Sequence, residues 1–113
     1  MAKSNEQVIE EFDEAVNMSR RELEDWLETY ESKSVGQSDG GGESKGHESG
    51  RKIAEILDKK KDDYTEDEID HMRRVVSYVH RHLAQRPDHP PEELAHMRWR
   101  YSLMNWGHDP LKA

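Results

Sequence analysis

Apolar residues in this chain return at helical spacing in five stretches, and each stretch carries its own punctuation. Ser4-Asn5-Glu6-Gln7 has the form of a capping box, in which a hydroxyl satisfies an early backbone N–H and the residue three on reaches back. Val8, Ile9, Phe12, Ala15 and Val16 come next as one stripe, and Asn17-Met18 closes this first helix. Ser19-Arg20-Arg21-Glu22 opens a second helix, with Leu23, Trp26, Leu27 and Tyr30 at i, i+3, i+4 and i+7, running to about Glu31. So short a connection predicts a tight corner or an antiparallel pair.

From 32 to 50 the pattern stops. The stretch SKSVGQSDGGGESKGHESG holds six of the seven glycines, and a Gly/Ser-rich tract has high backbone entropy and little to bury, so it reads as a flexible loop. A third helix, Arg51 to about Lys61, turns Ile53, Ala54, Ile56 and Leu57 inward. After the turn Asp62-Asp63-Tyr64, the box Thr65-Glu66-Asp67-Glu68 starts the longest helix, to about Arg86. Its Ile69, Met72, Val75, Val76, Val79 and Leu83 fall within roughly 120° of arc, the best-defined core face of the chain. Pro87 and Pro90-Pro91 interrupt, and a last helix is expected from Pro91 to Trp106, stopped by a left-handed Gly107 and by Pro110. The chain is therefore read as one all-α domain over 1–113, a compact bundle of about five helices with a flexible loop between the second and third.

The last helix carries two apolar faces. On a wheel started at Leu94, the residues Met97, Tyr101 and Met104 lie within roughly 80° on one side, and Trp99, Leu103 and Trp106 within roughly 60° almost opposite. Such a helix is either sandwiched inside its own fold or keeps one face for a partner. The Trp99, Leu103, Trp106 face is accordingly a candidate interface for a second protein or a second copy of the chain. Arg98 and Arg100 flank Trp99, where a guanidinium can stack on indole, and Asp109 is placed to pair with one of them.

Composition narrows the chemistry. Leu, Ile, Val and Phe number only 18 of 113, so the core is expected to be thin and anchored by the three tryptophans, with marginal stability. No signal-like or membrane-length apolar run occurs, which makes the cytoplasm the default compartment and gives no membrane partner. The absence of cysteine removes thiolate chemistry and cysteine-ligated zinc. No two of the seven histidines are three or four apart, the spacing a helical zinc pair needs, so no metal or other cofactor is expected. Neither a glycine-flanked nucleophile nor a phosphate-cradling GxxxxGK is present, and the chain is read as non-enzymatic.

The net charge of −8 is unevenly spread. Residues 1–50 hold 5 Lys+Arg against 13 Asp+Glu, and 51–70 hold 5 against 8, but 71–113 hold 7 against 4 together with six histidines. Arg73, Arg74 and Arg81, with Arg98 and Arg100, form a candidate basic surface for nucleic-acid phosphates. A helix-turn-helix reading fails, because the N-terminal turn that would face DNA carries Glu66, Asp67, Glu68 and Asp70. Contacts with duplex DNA would be non-specific and made through the C-terminal half.

The stretches NMSRRELEDWL (17–27), GRKIAEILDKKKDDYTEDEIDHMRRVVSYVHRHL (50–83) and RWRYSLMNWGHDPLK (98–112) resemble a family of small, mainly bacterial proteins classed as domain of unknown function 3140. Some members carry a DNA-binding label, so the resemblance implies a nucleic-acid role without assigning an activity, a cofactor or a residue.

Overall fold

The helix starts obey the capping chemistry. In the computed structural model, which describes residues 3–35, 44–60 and 63–112, Ser4, Ser19 and Thr65 each accept a backbone N–H three residues on, and Gln7, Glu22 and Glu68 reach back to close the box. They open α1 (Asn5–Ala15), α2 (Arg20–Leu27) and, further on, α5 (Glu66–Ala84). Between α2 and α5 stand α3 (Tyr30–Ser34) and α4 (Lys45–Leu57), and after α5 come α6 (Pro91–Leu94) and α7 (Arg98–Asn105). The described residues are all-α, with no strand among them.

Three expectations change, each for a local reason. The second helix stops at Leu27 because Thr29 turns extended and its hydroxyl accepts the Ser32 N–H, starting α3. Tyr30 is thereby taken off the apolar stripe and stands 80% exposed. The expected loop is invaded from both sides: residues 32–34 belong to α3, and α4 begins at Lys45 behind a Ser44 cap, not at Arg51. Positions 36–43 lie outside the described residues. The expected Pro91–Trp106 helix is two helices, because the backbone tightens after Leu94 and Met97 turns extended (ψ 147°). The described residues therefore form seven helical segments, not about five.

The paired layers are α1 along α5 and α2 along α4. Of the tight corner or antiparallel pair expected for α1 and α2, the antiparallel pair does not form, since the turn at Val16–Ser19 sends the two helices to different partners. Helix α7 packs against α2, α3, α4 and α5 and so joins the two layers. The core is Phe12 with Leu23, Ile53, Ile56, Met72, Val75, Val79 and Leu103, all essentially inaccessible. The tryptophans anchor its margin: Trp26, Trp99 and Trp106 are partly buried and pack on it from outside. The radius of gyration, 13.9 Å, is close to the ~13 Å of a folded chain of this size.

Gly107 (φ +81°) stops α7 as its position suggests. Its N–H returns to Met104 O and that of His108 to Leu103 O, the paired bonds of a Schellman turn. The residues beyond Gly107 are tied down. Asn17 and Asp109 exchange side-chain and backbone bonds at 2.8 and 3.0 Å, His108 Nδ1 donates to Ala15 O at 2.7 Å, and Lys112 Nζ reaches Asn17 O and Glu22.

Candidate nucleic-acid interface

The five candidate arginines separate into two groups. Arg73 points toward α1, where Nη2 donates to Asn5 Oδ1 at 3.1 Å and Asp70 lies 3.8 Å from Nε. Arg100 is locked more tightly. It grips Asp109 with two bonds of 3.1 and 3.0 Å and donates to Ala95 O. Burial pushes the Asp109 carboxyl up, but the Arg100 hydrogen bonds, the Leu111 N–H and the guanidinium charge together hold it below the usual carboxylate range. Asp109 thus pairs with Arg100, as one of the two flanking arginines was expected to do. The cation over Trp99 is neither of them: it is Arg86, 5.9 Å from the ring centre.

Arg74, Arg81 and Arg98 are exposed and take no part in an ion pair among the described residues. Arg74 and Arg81, seven apart, share one face of α5. Arg98 stands one turn before Ser102 on α7, and Ser102 lines the same cleft as Arg81. The structure therefore gathers two of the five arginines, Arg81 and Arg98, along the α5–α7 seam, leaves Arg74 at the α4–α5 cleft beside Glu55, Asp67, Glu68 and Asp70, and commits the other two to the fold.

At the centre of that seam is a cleft of about 420 Å³ lined by Lys45, Gly46, Tyr78, Arg81, His82, Ser102, Asn105 and Trp106. None of these is a carboxylate, in a chain with 25 Asp and Glu. Three other clefts of about 380 to 440 Å³ each contain at least one. Its aromatic wall is a continuous stack, with Tyr78 held between Trp106 at 4.2 Å and His82 at 4.0 Å, the rings within 19° of parallel. Burial pushes the Tyr78 hydroxyl above its ordinary value, although Ser102 bonds to it. Burial, reinforced by Arg81, lowers the His82 imidazole, whose Nδ1 is enclosed without a hydrogen-bond partner.

The Trp99, Leu103, Trp106 face lies against α5. Leu103 is fully buried, the Trp99 indole donates to His82 O at 2.8 Å, and Trp106 stacks on Tyr78. The opposite side of α7 is covered too, by Trp26, whose ring meets Tyr101 at 5.6 Å.

Sequence reasoning missed Lys45. It sits in a glycine-rich run whose composition signals linker, and its cap, Ser44 accepting from His47 N, lacks the Glu or Gln that marks a capping box. The clue was the i, i+4 spacing of Gly46 and Gly50, small residues on one helix face that let a helix pack closely.

The family model described as "Protein of unknown function (DUF3140)" matches residues 11–104, most of the chain. No curated protein matches it, and no solved structure does.

Proposed function

The chain belongs to the DUF3140 family, which hands down no activity, and from its own geometry we propose a nucleic-acid-associated protein that makes non-specific phosphate contacts through the α5–α7 seam. The observation that supports this is the segregation of charge: unpaired Arg81 and Lys45 line a carboxylate-free cleft, with unpaired Arg98 one turn from its Ser102, in a protein of net charge −8. Cations that served only the fold would be expected in intramolecular pairs, as Arg73 and Arg100 are. The acids at the start of α5 repel a backbone there and restrict contact to the later turns of the helix. Sequence readout is not part of this proposal, since phosphate contacts position a protein without reading bases.

Fluorescence anisotropy of a labelled duplex at low salt and pH 6 tests it. Three phosphate contacts, from Lys45, Arg81 and Arg98, give a slope of log K against log salt of about −3. Charge reversal at Arg81 or Arg98 should flatten that slope by about one, whereas Arg73→Gln should not change it. Absence of binding at low salt and pH 6 overturns the proposal.

A further inference from the structure

The carboxylate-free cleft presents donors and almost no acceptors. Lys45 Nζ and the Arg81 guanidinium have no anionic partner among the described residues, Arg81 touching only Ser77 Oγ at 3.4 Å. The three indole N–H groups make the contrast sharper. Trp26 donates to Asn105 Oδ1 at 2.8 Å and Trp99 to His82 O at 2.8 Å, but Trp106 Nε1 has no acceptor among the described residues. It opens toward Gly46, where a Cβ would come within 3.4 Å of it, so the missing side chain is what leaves this N–H reachable. Ser102 adds a hydroxyl to the same wall.

Two fixed positive charges, a free indole N–H and a hydroxyl around one recess match a ligand of about two negative charges with several acceptor oxygens. A phosphate monoester has that character at neutral pH: about −1.5 to −2 in charge, with three strong acceptor oxygens. The diester of an internal backbone position carries one charge and sits on a convex strand. A terminal phosphate can enter a concavity. The volume, about 420 Å³, lies toward the small end of ligand pockets.

We propose that the cleft between α4, α5 and α7 is a phosphomonoester site, in which Lys45, Arg81, Trp106 Nε1 and Ser102 hold a terminal phosphoryl group. The inference rests on the nucleic-acid reading for its physiological ligand, the phosphorylated end of a strand; a free mononucleotide offers the same chemistry and is separated from it by the test.

The test compares the full chain against four probes at low salt: a short single strand with a 5′-phosphate, the same strand with a 5′-hydroxyl, AMP and adenosine. Affinities come from calorimetry and the site from amide and indole NMR shifts. The expected result is that the 5′-phosphate strengthens strand binding by about tenfold and shifts the Trp106 indole N–H. Trp106→Phe, which keeps the ring stack and removes the donor, should reduce that advantage severalfold, and Gly46→Ala should do the same by covering the indole edge. Circular dichroism of both variants checks that the fold persists. If the two strands bind equally with a steep salt dependence, the cleft inference falls and the nucleic-acid reading stands. If AMP binds and shifts Trp106 while neither strand nor duplex binds, the reading falls and the site takes free nucleotides. If none of the probes binds, both fall.

Discussion

Asn105 shows how one residue can be fixed by its hydrogen bonds. It is 1% exposed at the last turn of α7. Its Oδ1 accepts from the Trp26 indole and from Ser32 Oγ, and its Nδ2 donates to Ser32 O. One amide thus joins α7 to α2 and α3 and satisfies polar groups that burial would otherwise penalise. Asn105→Ala should cost about 2–4 kcal/mol, because it leaves the partners enclosed and unpaired as well as losing the bonds. Urea denaturation followed by Trp fluorescence measures this, and a loss under about 0.5 kcal/mol, the range of an ordinary surface substitution, would show that water replaces the amide. Nothing in the pattern of apolar positions could have found this network. Hydropathy ranks Asn as a surface residue, and its partners Trp26 and Ser32 lie more than 70 positions away.

At the scale of elements, α2, α4 and α7 meet at Gly50. A Cβ there would lie 2.6 Å from Leu27 Cδ2 and 2.7 Å from the Asn105 backbone oxygen. The leucine tip can move, but the carbonyl belongs to the last turn of α7 and cannot without shifting the helix. Gly50→Ala should therefore destabilise by about 1–3 kcal/mol, although alanine is the better helix former by up to about 1 kcal/mol. Thermal unfolding decides between the two effects, and a rise in Tm would mean that the helices are not in contact there. The same glycine explains why the start of α4 was not legible. Six glycines in nineteen residues look like backbone freedom, but Gly46 and Gly50 serve close approach, and only the facing helices reveal that. Where the signal was local it was readable: three capping boxes, the α5 stripe and the Gly107 stop each depend on residues within one or two turns. The break between α6 and α7 was not, for Met97 has no side-chain cap and no helix-breaking residue marks it. Joining the two segments on one wheel placed Met97 on a helical face, whereas it is the extended residue ahead of α7. The candidate site was legible to the same extent, as charge along α5 and α7 but not as the ion pairs that withdraw Arg73 and Arg100 from it.

Over the whole molecule, histidines tie its stability to pH. His71 sits on α5 with Nε2 2.9 Å from Ser49 Oγ of α4 and its ring 6.0 Å from Trp106 of α7. Burial lowers its basicity first, the Lys52 charge adds to this, and Arg74 contributes, while Glu48 works in the opposite sense. His82, at the far end of the same ring stack, is lowered by burial and by Arg81. Both rings therefore stay neutral in the folded chain where an unfolded imidazole, titrating near 6.5, takes up a proton. Proton uptake then favours the unfolded state, so stability should rise with pH through this window and fall as pH drops below about 6.5, levelling once the lowered folded-state values are passed. Asp109 acts in the same direction at lower pH, because its paired carboxylate supports the fold above its ordinary value and is lost on protonation. The two contributions are separable by their windows. Melting temperature measured from pH 8 to pH 5 should decline below about 6.5, and His71→Gln with His82→Gln should flatten that decline while leaving the acid limb due to Asp109. A wild-type curve flat between pH 7 and pH 5 would mean that the folded rings titrate like free imidazole and that the stack opens to solvent. His82 lines the phosphomonoester cleft, and His71 reaches it only through its stacking on Trp106, so its wall is best packed at neutral pH, where the terminal phosphate also approaches its full charge.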